Sequence, residues 1–153
     1  MLVLMCSVGT DRLAIPVQNV TEVIPRVRLL APMNSPDWLA GHIVYRGRPA
    51  PVVFMTNAMN PVTNRLSDRI ILTSVSVNSQ SEIVGLMVDS TTTQELPYAD
   101  CAAAERQGAM KSKWGTILLD ASGMFHLVDL TTILRREMLD ILFPPTKESE
   151  GPQ

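Results

Sequence analysis

Cysteine, aromatic side chains, long apolar runs and net charge are all scarce in this chain, and each shortage removes a class of function. Only two cysteines, Cys6 and Cys101, occur in 153 residues, and neither sits in a Cys-x-x-Cys spacing. No disulfide framework or thiolate zinc site is therefore expected, and both read as reduced thiols of a cytoplasmic protein. No apolar run approaches the roughly 20 residues of a membrane-spanning helix. The run Met1 to Met5 ahead of Cys6 has no basic residue and is shorter than the roughly 7–15 apolar residues of an export leader, so neither lipidation nor direct membrane insertion is expected. The formal net charge is −2 at pH 7 and aromatics make up 5%. Without a basic face or a stacking platform, no nucleic acid is expected as partner.

Reactive constellations are missing as well. There is no phosphate-cradling glycine loop and no His-Glu-x-x-His pair, and the two histidines, His42 and His126, lie in separate strand-like stretches. Asp89, Glu95, Asp120 and Asp129 fall at strand ends, where carboxylates commonly cap turns. The residues thus predict no catalytic centre, no metal and no cofactor.

What the chain does have is apolar content, 46% hydrophobic against 18% charged. A globule of this length buries roughly 70% of its unfolded surface, enough for a core without staples. The periodicity is that of short strands. Leu2 to Val8 and Leu13 to Ile15 flank the turn cluster Gly9-Thr10-Asp11. Val20 to Ile24 ends at Pro25, and Ala31 to Asp37 reads as a loop. Ile43 to Tyr45 and Ala50 to Met55 flank Arg46-Gly47-Arg48-Pro49, with Gly47 suited to positive φ. Thr56 to Asp68 is polar and turn-rich, with room for a short helix. Ile70 to Val77 and Ile83 to Val88 are separated by Asn78-Ser79-Gln80-Ser81, and Thr91 to Leu96 is β-branched. Pro97 to Lys113 reads as a loop with a helical turn. Gly115 to Leu119 and Met124 to Val128 flank Asp120-Ala121-Ser122-Gly123. From Asp129, a suitable N-cap, apolar residues recur at helical spacing to Leu142 and predict one helix, stopped by Pro144-Pro145. Residues 144–153 read as a disordered tail.

Two stretches echo each other. Gly41 to Tyr45, a turn and Pro51 to Met55 parallel Gly115 to Leu119, a turn and His126 to Leu130. Upstream, Leu13 to Ile24 parallels Ile83 to Leu96. The pattern predicts an all-β chain with a C-terminal helix, built as a pair of similar small barrels packed side by side.

The stretch from Ser35 to Val53, Ser-Pro-Asp-Trp-Leu-Ala-Gly-His-Ile-Val-Tyr-Arg-Gly-Arg-Pro-Ala-Pro-Val-Val, resembles the central signature of the CheW family. Leu13 to Val17, Val20 to Ile24, Ile83 to Asp89, Leu118 to Asp120 and Leu127 to Leu130 resemble further family elements, so the resemblance spans about residues 2 to 142. It implies two SH3-like five-stranded β-barrels in one domain over residues 1–143. The subdomains are expected at roughly 11–68 and 69–128, with terminal elements 1–10 and 129–143. It further implies a non-enzymatic adaptor with two partners, the regulatory domain of a CheA-type histidine kinase and the cytoplasmic tip of a chemoreceptor. By the same resemblance, Arg46 matches a receptor-side arginine paired with the strand acid Glu22, and Val20, Leu30 and Gly41 border that contact region. Val44 stands where the family commonly has Asn, and Phe54 where it has Asp. The competing expectations are a small ligand- or nucleic-acid-binding barrel, and a self-assembling array component that makes no receptor contact.

Overall fold

The computed structural model describes residues 1–30, 33–55, 69–95 and 110–145. The strands are β1 (Leu2–Val8), β2 (Asp11–Pro16), β3 (Val20–Pro25), β4 (Leu39–Tyr45), β5 (Arg48–Phe54), β6 (Arg69–Val77), β7 (Gln80–Val88), β8 (Ser90–Glu95), β9 (Gly115–Asp120) and β10 (Gly123–Val128). A 3-10 turn at Val17–Asn19 joins β2 to β3, and helices α1 (Leu130–Ile133) and α2 (Arg136–Leu142) follow β10. The strands form two five-stranded sheets, ordered β8-β1-β2-β10-β9 and β3-β6-β7-β5-β4. The all-β expectation with two barrel-sized sheets holds.

The assignment of strands to those sheets differs from the expected division at 68/69. The sequence echo is real as a repeat: β2, β3, β4 and β5 correspond in order to β7, β8, β9 and β10. The two halves interlock, however. The hairpin β1–β2 of the first half pairs with β8 and β10 of the second, and β6–β7 of the second pairs with β3 and β5 of the first. The reason lies in two short crossings. After β2, three residues carry the chain into the other sheet, and after β7 the single residue Asp89 does so. The single residue at Asp89 is too short for a hairpin turn back onto its own sheet, and the 3-10 turn at Val17–Asn19 carries the chain across rather than back. The buried Asp89 fixes its crossing, its amide donating to Ser7 O at 2.9 Å and its carboxylate accepting from Gly9 N at 2.9 Å.

This arrangement explains the hydropathy of the central hairpins. In β1, Val3 and Met5 face the interior of the first sheet, while Leu4, Cys6 and Val8 face a shared core between the sheets. In β6, Ile70 and Leu72 fill the interior of the second sheet and Ile71 joins the shared core. A strand buried on both faces reads as a continuous apolar run. Burial pushes the Cys6 thiol up to about 12, with Asp89 adding to the rise, so this cysteine stays protonated and inert.

Turns and helix are shorter than expected. Arg46 and Gly47 take φ of 51° and 77°, and Asn78 and Ser79 take 51° and 67°. Successive positive φ angles make two-residue hairpin loops of the primed kind, so Arg48 and Pro49 belong to β5 and Gln80 and Ser81 to β7. The single expected helix is two. Asp129 caps α1, accepting from Thr131 N at 3.0 Å, but the chain leaves helical geometry at Leu134 (φ −96°, ψ 77°) before α2 starts. The β-branched run Thr131-Thr132-Ile133 weakens continuation, and on either side of the break Leu134 and Met138 both lie in the shared core. The short helix considered within 56–68, the loop across 97–109 and the tail 146–153 lie outside the described residues.

Candidate functional site

The hairpins β4–β5 and β9–β10 occupy equivalent places, each on a sheet edge with its second strand running parallel to a central strand. Each opens on a glycine in the same unusual conformation, Gly41 at φ 147° and Gly115 at 153°. A Cβ at Gly41 would lie 2.8 Å from Leu29 Cβ and 3.1 Å from Leu30 O, and one at Gly115 would lie 2.0 Å from Leu127 O. Glycine is therefore needed at Gly41 because the segment carrying Leu29 and Leu30 lies against the strand, and at Gly115 because the backbone at the end of β10 does. In each case the next residue bridges a separate segment outside the sheet strands, His42 to Leu30 and Thr116 to Lys111. A tryptophan carbonyl also closes each hairpin, Trp38 O accepting from Phe54 N at 2.9 Å and Trp114 O from Asp129 N at 3.0 Å. Both indoles pack on the shared core.

At the tip of β4–β5 the exposed Arg46 guanidinium lies over the Tyr45 ring, 5.1 Å from its centroid. The Tyr45 hydroxyl donates to Glu22 Oε2 at 2.8 Å. The hydrogen bond donated to that carboxylate holds the Tyr45 hydroxyl above its ordinary pKa, since the bond exists only while the proton stays. The direct Arg46–Glu22 ion pair implied by resemblance is not formed. The ring stands between the two charges, and the linkage runs Glu22, Tyr45, Arg46. Since β3 and β4 are the two edges of their sheet, the Tyr45–Glu22 bond also joins those edges. Tyr45 was absent from the expected site. Its signal was an aromatic at a strand end directly before a turn arginine, a place where a ring can carry a cation on its face.

The other expected residues separate into two groups. Leu30 is 68% exposed and sits against the β4 edge through its bridge to His42, with the buried Gly41 beneath it. Four residue steps of extended chain separate His42 from Arg46, roughly 13 Å, with Val44 exposed between them. Val20 lies elsewhere. It is half-buried against the shared core, beside a bulge in β3 between Val20 and Glu22. A hollow of about 200 Å³ opens next to the tip, lined by Tyr45, Arg46, Arg48 and Glu82 among others.

The tip of β9–β10 is built differently. Arg12 reaches across the sheet to grip Asp120 with two bonds of 3.0 and 2.7 Å, and Asp120 also accepts from Ser122 N at 2.8 Å. The Arg12 guanidinium, with the turn amide, holds the Asp120 carboxyl below the usual carboxylate range. The buried His126 bonds through Nδ1 to Ser112 Oγ at 2.7 Å. Ser112 Oγ in turn accepts from Trp114 N at 3.1 Å, so the pair ties residues 112–115 to β10. No carboxylate among the described residues bonds this histidine, and the serine is engaged in a turn, so the pair lacks the third group that would make it a nucleophile–base system. Among the described residues no three His, Cys, Asp or Glu side chains gather closely enough to hold a metal. No described helix is long and apolar enough to cross a membrane. Met55 and Met87 are buried, whereas Met124 is 52% exposed.

A family model described as a CheW-like domain matches residues 2–138. Among solved structures, the chain is similar to the scaffolding protein TtCheW from Thermoanaerobacter tengcongensis, with a TM-score of 0.68 at 15% identity over 90% of this chain and 89% of that one. At such identity the likeness concerns the fold. No curated protein sequence matches the chain.

Proposed function

The chain belongs to the CheW-like domain family, and from that premise we propose that it is a non-enzymatic cytoplasmic adaptor coupling a chemoreceptor to a CheA-type histidine kinase. The observation that carries the receptor side is the exposed Arg46 guanidinium laid on a tyrosine ring that Glu22 holds by its hydroxyl. A guanidinium restrained this way loses less side-chain entropy when a partner docks than a free one does. It presents a directional donor to the carbonyls and carboxylates of a helical receptor tip. Leu30, with Val44, supplies an apolar flank. Gly41 acts indirectly by letting the segment carrying Leu30 lie against β4, and Val20 by seating β3, which carries Glu22. The kinase regulatory domain binds a separate surface, so that one adaptor bridges both.

The test is co-purification of the full chain with a kinase regulatory domain and with a chemoreceptor tip, separately and then together. A three-component complex is expected. Failure to retain either partner would remove the reading, as would tight salt-sensitive binding of oligonucleotides or recovery of self-assemblies alone.

A further inference from the structure

We propose that two copies of this chain can exchange halves, residues 1–55 of one copy completing the sheets of residues 69–145 of the other. The result is a closed dimer with two complete two-sheet units. The interlocked pairing carries this inference. Every inter-half ladder joins strands that share no short loop: β1 with β8, β2 with β10, β3 with β6 and β5 with β7. Every hairpin, by contrast, lies within a half: β1–β2, β4–β5, β6–β7 and β9–β10. Residues 56–68 are the only covalent connection between the halves. A partner's half therefore offers the same ladders, the same shared core and the same Asp89-to-Gly9 bond as the chain's own.

What favours the monomer is proximity, and the register shows how little length it needs. Phe54 and Ile70 both align with Met87, on opposite sides of β7. The ends to be joined are thus two strand spacings apart, roughly 10 Å. Thirteen residues exceed that span several-fold, and a covalent tether of that length sets an effective concentration in the millimolar range. The native chain is accordingly monomeric at micromolar concentration and exchanges when it folds at millimolar concentration. The exchanged dimer carries two Tyr45–Arg46 tips on one particle, which makes it a bivalent form of the docking surface.

Deleting residues 57–68 leaves Thr56 alone between Met55 and Arg69, a reach of at most about 7 Å, too short to pass the end of β7 within one chain. Light scattering on the purified variant should then find a folded dimer at micromolar concentration, where the native chain and a variant with six Gly/Ser residues inserted after Thr56 are monomers. A folded monomer from the deletion would overturn the proposal. Should the deletion variant be insoluble, two differently tagged native chains refolded together at millimolar concentration decide the matter. A mixed-tag dimer that survives dilution supports exchange, and its absence refutes it. Native chains mixed without unfolding serve as the control and should show no mixed species.

Discussion

The hairpins β4–β5 and β9–β10 share a glycine conformation, a crossing segment and a tryptophan-carbonyl closure, yet their tips spend charge in opposite ways. At the second tip Arg12 and Asp120 satisfy one another across the sheet, with side-chain exposures of 30% and 18%. At the first, Arg46 lies outward on Tyr45 and forms no ion pair among the described residues, while Glu22 is occupied by a hydroxyl. Charges matched within the molecule stabilise it; a charge that is oriented but unmatched is available to something else. The two halves repeat a scaffold, and the proposed docking end rests on the difference between them.

The shared part of the comparison should break hardest. Alanine at Gly115 would set its Cβ 2.0 Å from a backbone oxygen, whereas at Gly41 the nearest atom is a side-chain carbon at 2.8 Å. Both positions also carry a positive φ, itself worth about 1–3 kcal/mol of strain for a non-glycine residue. Gly115→Ala should therefore cost about 4 kcal/mol or prevent folding, and Gly41→Ala about 1–3 kcal/mol. Denaturant unfolding of both variants checks the order, and equal losses would contradict the closer approach at Gly115.

The crossings sharpen the contrast at the next level. Asp89 is buried and bonded to the β1–β2 turn, whereas Val17–Asn19 makes its crossing with no buried residue. Asp89→Ala should cost about 1–3 kcal/mol, and Gln18→Ala, at an exposed position, less than about 0.5 kcal/mol. Because burial is the larger cause of the raised Cys6 pKa, Cys6 should resist thiol reagents at pH 8 in the native fold. Rapid labelling under native conditions would show that the shared core opens.

A smaller effect separates the tips by pH. Since Arg12 depresses the Asp120 pKa, the stabilisation is complete above the ordinary carboxylate titration near pH 4 and is lost as pH falls through the depressed value. Asp120→Asn should be about 1 kcal/mol less stable at pH 7, a modest figure because the pair is partly solvated. The gap to the native chain should close on acidification, and a gap that widened in acid would reverse the assigned sign.

How much of this was legible in the sequence follows from what local pattern can encode. Turn residues such as Gly9, Gly47 and Gly123 and the alternation of β4 mark hairpins directly, and Gly41 with Gly115 marked the repeat. The pairing between halves was not legible, because Leu13 and Ile15 are equally apolar whichever sheet they join. What accompanies the pairing is the single-residue crossing at Asp89 and the 3-10 turn at Val17–Asn19, which a strand pattern does not display. The helix read as continuous because Leu130, Leu134 and Met138 keep helical spacing; the break follows from packing against the shared core. At the candidate site, Arg46 and Glu22 were placed by resemblance to the family as a direct pair, whereas each contacts Tyr45 instead. The ring between them escaped notice because Tyr45 scores equally well as an ordinary strand aromatic.

Charge reversal at each tip, read by both melting and binding, tests the central claim most directly. Arg46→Glu should unfold within about 0.5 kcal/mol of the native chain yet bind a chemoreceptor tip at least tenfold more weakly. Asp120→Arg should melt earlier while its folded fraction binds the receptor tip as the native chain does. The opposite pattern, with stability lost at Arg46 and receptor binding lost at Asp120, would contradict the assignment of the docking end.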